Sequence, residues 1–326
     1  MKIGKLSNED LQHLVLDRLP GQANTVSYGP SIGLDCAAVR FGDGQVILSC
    51  DPITGAAADI GYLAVHISCN DIAACGIRPS VLMLVIIAPP QCTPDEIRLV
   101  ADQASAAAKA LNVSIVGGHT EISDAVTRFV ITTTALGFTY GGGIIQANGG
   151  QAGDYLLMTK TAGLEGTAIF AADQTDKLSG LLTADELATA AAMIGQISVV
   201  EEGACGGNFG VHAMHDATEG GILGACWELA EASKRGCIVE KELIPIDPLT
   251  RRICSCLNVN PLRLISSGSL IMATADPEPL IAELNRKGIR CSIIGRLTEE
   301  PARLLKTGTV LSELRPPEPD ELYKIH

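Results

Sequence analysis

The chain alternates between stretches with helical spacing of apolar residues and short runs that are apolar throughout. Ser7 followed by an apolar stripe predicts a helix over about residues 8–19. The continuous apolar run Val81 to Ala88 is typical of a buried strand. Thr93 to Glu96 supplies an N-cap, a first-turn proline and a capping acid, so a further helix should last to about Leu111.

The second half of the chain repeats this alternation, with a strand predicted at 155–159 and a helix over about 219–235. A glycine-dense stretch separates the halves, and we place a domain boundary there, near residue 150. The pattern therefore predicts an α/β protein of two domains, residues 1–150 and 151–326.

Composition narrows the class of protein further. The chain carries 37 Asp and Glu against 24 Lys and Arg, a net charge of −13, which disfavours nucleic acid and anionic membrane surfaces as partners. We find no export signal and no apolar run near the ~20 residues of a membrane span, so we expect a cytoplasmic protein. The 11 cysteines lack a paired CxxC framework, and we expect most to be buried small residues.

Several familiar signatures are missing, among them the phosphate-loop, dinucleotide-binding, zinc-protease and nucleophile-elbow motifs. In their place, acidic residues interrupt apolar segments in the first half. They occur in Gly33-Leu34-Asp35, Ser49-Cys50-Asp51, Cys69-Asn70-Asp71 and Gly117-Gly118-His119-Thr120-Glu121.

Asp71 has apolar neighbours on a helix predicted over residues 59–76, and a carboxylate there is costly to bury unless donors or a cation meet it. One interpretation is an aspartate held by backbone or hydroxyl donors. The other is a metal ligand, since Asp51 lies just past a strand and Glu121 follows a glycine turn that would bring it close. Oxygen ligands from separate loops suit Mg²⁺ bridging phosphates.

Gly117 to Glu121 follows a strand predicted at 114–116, and its glycines would allow close approach of a ligand, although the pattern taken alone favours a plain tight turn. His119 could bind phosphate, act as an acid or base, or cap the loop.

The segment His215 to Gly221 joins a strand to a helix in the second half. Thr218 is the predicted N-cap, and the glycines would let backbone amides face an anion; a capped helix without a ligand is the alternative. His212 and His215 lie three apart on a strand and point to opposite faces, so we reject a metal chelate of this pair.

Taken in order, these segments resemble the aminoimidazole ribonucleotide (AIR) synthase-related, or PurM-like, superfamily of ATP-dependent proteins, which includes HypE, selenophosphate synthetase and thiamine-monophosphate kinase. The segments from Asp71 to Pro79 and from Asp216 to Gly221 look most like the HypE branch. The resemblance spans nearly the whole chain.

The resemblance implies an N-terminal domain that forms a shared β-barrel in a homodimer and a C-terminal α/β domain that closes over ATP and Mg²⁺. It assigns metal binding to Asp51, Asp71 and Glu121, and catalytic roles to Asp71 and Asp216. Contacts to ATP are implied for a larger set: Lys5, Asp35, Asp51, Asn70, Gly117, Gly118, His119 and Thr120.

The departures from the family concern the acceptor. HypE proteins end in a Pro-Arg-Ile-Cys tail, whereas this chain ends in Lys324-Ile325-His326, and Ser267 stands where the HypE pattern has a glutamate. Selenophosphate synthetases need a reactive residue ahead of Cys36, the first cysteine here, and AIR synthases have a different sequence after the position of Asp51.

The sequence therefore predicts an ATP- and Mg²⁺-dependent HypE-like enzyme that activates an amide or carbonyl oxygen by phosphoryl transfer. The acceptor is small or protein-borne, and a maturation factor is a possible partner. Two alternatives stay open: a nucleotide-binding scaffold or sensor without turnover, and a kinase similar to thiamine-monophosphate kinase.

Overall fold

The computed structural model describes residues 6–20, 22–54, 58–140 and 143–325. The first half folds into one open sheet of six strands, in the order β1-β2-β3-β6-β4-β5, in which only β4 and β5 are parallel. The strands are β1 (Val26–Tyr28), β2 (Ala37–Phe41), β3 (Gly44–Ile53), β4 (Pro79–Ala88), β5 (Ser114–Ile122) and β6 (Val130–Tyr140).

The helices of this half are α1 (Asn8–Leu14), α2 (Ile60–Ala74) and α3 (Pro94–Ala110). The capping box predicted at Thr93 is present: its hydroxyl accepts from the Glu96 amide, and the Glu96 carboxylate accepts from the Thr93 amide. The first helix is shorter than predicted, because regular α-helix ends at Leu14 and a 3₁₀ turn follows.

The second half builds a seven-stranded sheet in the order β13-β12-β9-β11-β7-β10-β8. Its strands are β7 (Tyr155–Thr159), β8 (Ala213–Asp216), β9 (Gly236–Glu240), β10 (Leu270–Thr274), β11 (Cys291–Thr298), β12 (Arg303–Thr307) and β13 (Val310–Glu313). Its helices are α4 (Leu164–Asp173), α5 (Thr175–Leu178), α6 (Ala184–Ala191), α7 (Val200–Phe209), α8 (Gly221–Ala232), α9 (Pro248–Leu257) and α10 (Glu278–Arg286).

Helix α2 is the element that joins the two halves. Fourteen of its fifteen residues are buried, and a hydrophobic cluster runs from Ile47 on β3 through Ile72 to Met272 on β10. Polar contacts fix its rotation: the Ser68 hydroxyl donates to the Thr133 carbonyl at 3.0 Å, and the Thr133 hydroxyl donates to the Ala64 carbonyl at 2.6 Å. These hydrogen bonds hold one side of α2 against the first sheet.

The glycine turn predicted after residue 116 is absent. Gly117 to Glu121 continues β5, which pairs in parallel with β4 as an exposed edge strand. Gly118 has φ +154°, and a Cβ there would lie 1.7 Å from the Leu84 carbonyl oxygen, so glycine permits the close approach of two strands. The close packing of β5 against β4 therefore accounts for the glycine at position 118.

The cap predicted at Thr218 is also wrong, because the N-cap of α8 is Gly220, two residues later, at φ +85°. The Gly220 amide donates to Asp320 Oδ2 at 2.7 Å, so a residue from the far end of the chain takes the place of a local cap.

The first sheet has one covered face and one open face. Helix α2 packs against β3 and β6, while apolar side chains on the opposite face are exposed, including Met83 at 47% and Phe138 at 43%. The described chain forms no closed barrel, so the shared barrel stays a prediction that requires a second copy. Among the helices of the described ranges, none has both the length and the apolar character to cross a bilayer.

Candidate functional site

A cleft of about 1130 Å³ opens between the two halves. The first half contributes residues from the 31–35 loop, from the end of β3 and from α2, and the second half contributes the start of α4, the loop after β8 and the 265–267 turn. Four of the predicted site residues line it together: Asp35, Asp51, Asp71 and Asp216.

Ser49 organises two of these carboxylates. Its hydroxyl lies 3.0 Å from Asp51 Oδ2 and also contacts Asp71 Oδ2. Ser49 and Asp51 are two residues apart on β3 and share the face that packs against α2, which is how a strand and a helix deliver their acids to one point. No local pattern in the sequence distinguishes Ser49 as a site residue.

Asp71 is 8% exposed and lies near three other carboxylates. Burial raises the pKa of Asp71 well above its usual value, and Asp216, Asp51 and Asp35 raise it further. Burial and the neighbouring like charges both oppose ionisation of Asp71. A bound proton or a cation would therefore compensate the negative charge of these carboxylates.

His215 forms a second charged group on the cleft wall. Its Nδ1 lies 2.7 Å from Asp35 Oδ1, and its Nε2 lies 3.2 Å from Glu228 Oε2. Burial opposes the charged form of His215, but the two carboxylates outweigh it and hold the pKa well above its usual value. The predicted separation from His212 is confirmed, since His212 instead contacts Asp154 at 2.9 Å.

Glu165 is a cleft residue that sequence reasoning missed. It is 4% exposed in the first turn of α4 and lines the cleft with Ser267. Burial raises the pKa of Glu165 to about 8; Glu219 and Asp320 add to the rise, and Ser267 opposes it. The one available signal was a single acid at the start of a strongly apolar helix.

Other predicted site residues lie outside the cleft. Gly117, Gly118, His119, Thr120 and Glu121 are on the exposed edge strand β5, where His119 Nε2 lies 3.3 Å from Glu121 Oε2. In the described chain Glu121 therefore does not join Asp51 and Asp71, contrary to the geometry predicted from a glycine turn.

Asn70 is fully buried and its amide is used within the protein. Its Nδ2 donates to the Ile197 carbonyl at 2.8 Å, and its Oδ1 accepts from the Val199 amide at 2.9 Å. It fastens α2 to the second half and so positions the neighbouring Asp71, rather than facing the cleft. Lys5 lies outside the described residues.

The donors lining the cleft fit a hard divalent cation. Seven carboxylate side chains face it, against Arg128 as the one arginine or lysine among its described lining residues. Mg²⁺ prefers oxygen ligands, and carboxylates supply them. A divalent ion would also relieve the repulsion between carboxylates that raises the pKa of Asp71.

Family comparisons agree with this two-part arrangement. The N-terminal domain model of AIR synthase-related proteins matches residues 33–139, and the corresponding C-terminal domain model matches residues 151–305. The chain belongs to the AIR synthase-related family. The cleft therefore lies between the two domains that define this family.

Among relatives, a hydrogenase expression/formation protein of Methanocaldococcus jannaschii is 29% identical over 305 residues, covering 89% of this chain and 88% of that protein. The carbamoyl dehydratase HypE of Cupriavidus necator is 27% identical over 273 residues, covering 81% and 75%. A solved structure of HypE in complex with ATP has a TM-score of 0.69 at 21% identity, over 98% of this chain and 97% of that chain, and so shares its fold.

Proposed function

We propose that this protein is an ATP- and Mg²⁺-dependent enzyme that activates an amide or carbonyl oxygen of an acceptor by phosphoryl transfer. One observation carries the proposal: Asp35, Asp51, Asp71 and Asp216, from both halves of the chain, line one cleft between the halves. Its volume of about 1130 Å³ leaves room for a nucleotide and a small acceptor.

Two further findings support a nucleotide as the substrate. The related HypE fold has been solved with ATP, and the relatives are HypE proteins and hydrogenase expression proteins. In addition, the acidic lining gives a bare triphosphate almost no cationic partner, so binding would proceed with Mg²⁺.

The chain's own residues would act mainly by positioning. Asp51 and Asp71, joined through Ser49, would hold Mg²⁺ against the phosphates together with Asp35, while Asp216 would hold it from the opposite domain. The bound Mg²⁺ would neutralise charge that develops on the transferred phosphoryl group. His215, held by Asp35 and Glu228, would place a cation on the same wall.

ADP formation with a set of probe acceptors tests this function. We expect Mg·ATP-dependent ADP release with primary amides such as acetamide or urea, and its loss in Asp51→Asn but not in Asp102→Asn, an exposed aspartate on α3. ADP formed only with thiamine monophosphate would favour the kinase alternative. Nucleotide binding with no ADP release above background would favour the scaffold.

The open face of the first sheet supports a homodimer. Met83 and Phe138 are nearly half exposed there, and the edge strand β5 is exposed along its whole length, which is unusual for a monomer. We propose that a second copy covers this face, and that β5, with Glu121 and His119, meets a cleft only in that assembly.

Thiol labelling tests the dimer. Cys50 is exposed on the open face of the sheet and Cys256 is exposed on α9. In solution we expect Cys256 to react quickly and Cys50 slowly, with a mass twice 34.0 kDa. Equal labelling rates at a mass of 34.0 kDa would contradict the dimer.

The remaining assignments are also part of this proposal: a division into domains 1–150 and 151–326, and a protein-borne or small acceptor. A maturation factor is proposed as a partner because the relatives act in hydrogenase expression and formation.

A further inference from the structure

Glu165 is one of the acidic groups of the cleft that the metal assignment leaves unused. It lies in the first turn of α4, in which every residue from Leu164 to Ala171 is buried. Its side chain is 4% exposed and still lines the cleft. Among the described residues, nothing donates a hydrogen bond to its buried Oε2. Ser267 is the one polar neighbour that lowers the pKa of Glu165, and its hydroxyl does not satisfy Oε2. A buried carboxyl group that lines a ligand cleft with one oxygen unsatisfied is suited to contact the ligand.

The backbone around Glu165 is held tightly. The Gly166 amide donates to the Ile265 carbonyl at 3.1 Å, and a Cβ on Gly166 would lie 2.4 Å from Leu264 Cγ. The Gly163 amide donates to the Ser266 hydroxyl at 2.7 Å. The start of α4 and the turn carrying Ser267 therefore form one rigid wall, and Glu165 occupies a fixed position on it.

The charged groups that face Glu165 from neighbouring elements are acidic. Glu219 lies on the loop before α8, and Asp320 lies in the C-terminal segment. With burial, they raise the pKa of Glu165 to about 8, so the carboxyl exchanges its proton close to neutral pH. A proton-transfer group works best when its pKa is near the operating pH.

We propose that Glu165 is a catalytic residue that accepts a proton from an N–H group of the acceptor. The inference rests on the proposed function and extends it, since it limits the acceptor to the class of amides and other N–H-bearing carbonyl compounds. The metal-binding aspartates would face the phosphates, and Glu165 and Ser267 would face the acceptor on the wall of the second half.

The step balances without any further reactant. The amide oxygen forms a bond to the γ-phosphorus, the bond from that phosphorus to the β,γ-bridging oxygen breaks, and ADP leaves. The electron pair of one N–H bond becomes the second C–N bond, and its proton passes to the ionised Glu165 carboxylate. Glu165 then releases this proton to solvent, so the products are an imidate phosphate, ADP and one proton.

Glu165→Gln tests the inference, with Glu165→Asp as the conservative variant and Asp185→Asn, an exposed first-turn acid on α6, as the matched control. With Mg·ATP and acetamide or urea as probes, we expect kcat of the wild type to rise towards pH 8. Glu165→Gln should lower kcat about 100-fold or more and remove that rise, while leaving Mg·ATP binding unchanged. Glu165→Asp should retain part of the rate with a shifted profile, and Asp185→Asn should behave as wild type.

Thermal unfolding gives a readout that does not depend on turnover. Glu165 is protonated in the folded state up to about pH 8, but the unfolded state releases its proton above the ordinary pKa of 4.5. Folding stability should therefore fall as pH rises between these values, and Glu165→Gln should lose that part of the dependence.

The outcomes separate this inference from the proposed function. If the wild type forms no ADP with the probe amides, the proposed function fails and the inference fails with it. If the wild type forms ADP and Glu165→Gln keeps its rate and pH profile, the inference alone is wrong. If Glu165→Gln instead loses Mg·ATP affinity, Glu165 belongs to the nucleotide site, and its assignment as the proton acceptor is also wrong.

Discussion

We expect Asp71→Asn to lower Mg·ATP-dependent turnover about 100-fold or more while raising the thermal stability of the protein. Turnover should fall because the substitution removes a charge from the proposed metal site. Stability should rise because Asp71 is buried beside Asp216, Asp51 and Asp35, and an amide there is no longer penalised by burial of charge or by like-charge repulsion. The asparagine oxygen can still accept from the Ser49 hydroxyl.

The measurement is a pair of melting curves and ADP assays on the same preparations, with Asp102→Asn as the control. Asp102 is exposed on α3, so its replacement should change neither quantity. A variant that melts below wild type would show that Asp71 is a structural acid held by donors, the alternative left open by the sequence. Unchanged turnover would remove Asp71 from the site.

A second large effect is expected at a buried ion pair that supports the cleft. Lys160 Nζ lies 2.6 Å from Glu202 Oε1, and their side chains are 16% and 2% exposed. The same ammonium donates to the carbonyls of Ser198 and Gly268 at 2.6 and 3.0 Å. Lys160 thus ties β7, α7 and the turn of Ser267 together.

Lys160→Met should lower the free energy of unfolding by about 3–5 kcal/mol, because it leaves the Glu202 carboxylate buried without its cation. Methionine preserves the length of the side chain. Lysine and methionine have the same backbone strain energy at φ +56°, so strain does not contribute to the change in the free energy of unfolding. Urea denaturation gives the change directly.

Lys287→Met is the matched control, since Lys287 pairs with Glu201 at 3.1 Å on the surface, with side chains 32% and 46% exposed. Its cost should stay below about 1 kcal/mol. The double variant Lys160→Met/Glu202→Leu should recover most of the lost stability, because no charge is then stranded. Equal costs for the two single variants would contradict the special role of the buried pair.

Local signals explain which elements could be predicted. Helix α3 was predicted correctly because Thr93, Pro94 and Glu96 contain all of its N-terminal chemistry within four residues. The cap of α8 was wrong because the group that binds the Gly220 amide is Asp320, 100 residues further along the chain. Strand β5 was cut short because Gly117 and Gly118 are typical of turns, while its pairing with β4 is a tertiary feature.

The candidate site likewise contains residues that local patterns predict and residues that only tertiary packing defines. The acids at Asp35, Asp51, Asp71 and Asp216 could be selected because each interrupts an apolar or glycine-rich segment and matches a family motif. Their meeting in one cleft depends on the packing of α2 between the sheets, which no local pattern encodes. Glu165 was missed for that reason: its importance comes from burial and from neighbours in three other segments.

Part of the acidic composition of the chain is concentrated at the cleft. The net charge of −13 disfavours nucleic acid as a partner, and seven of the carboxylates line the cleft. A polyanionic substrate would enter this cleft only with cations that neutralise both the substrate and the carboxylates of the cleft. Metal dependence of nucleotide binding is therefore the central claim about this protein.

Isothermal titration calorimetry of the wild type with ATP, in excess Mg²⁺ and in excess EDTA, tests that claim most directly. We predict saturable binding with Mg²⁺ and an affinity lower by about 100-fold or more in EDTA, since repulsion among Asp51, Asp71 and the phosphates is then uncompensated. ATP binding of equal affinity in EDTA, or no binding under either condition, would contradict the assignment of these carboxylates as a metal-dependent nucleotide site.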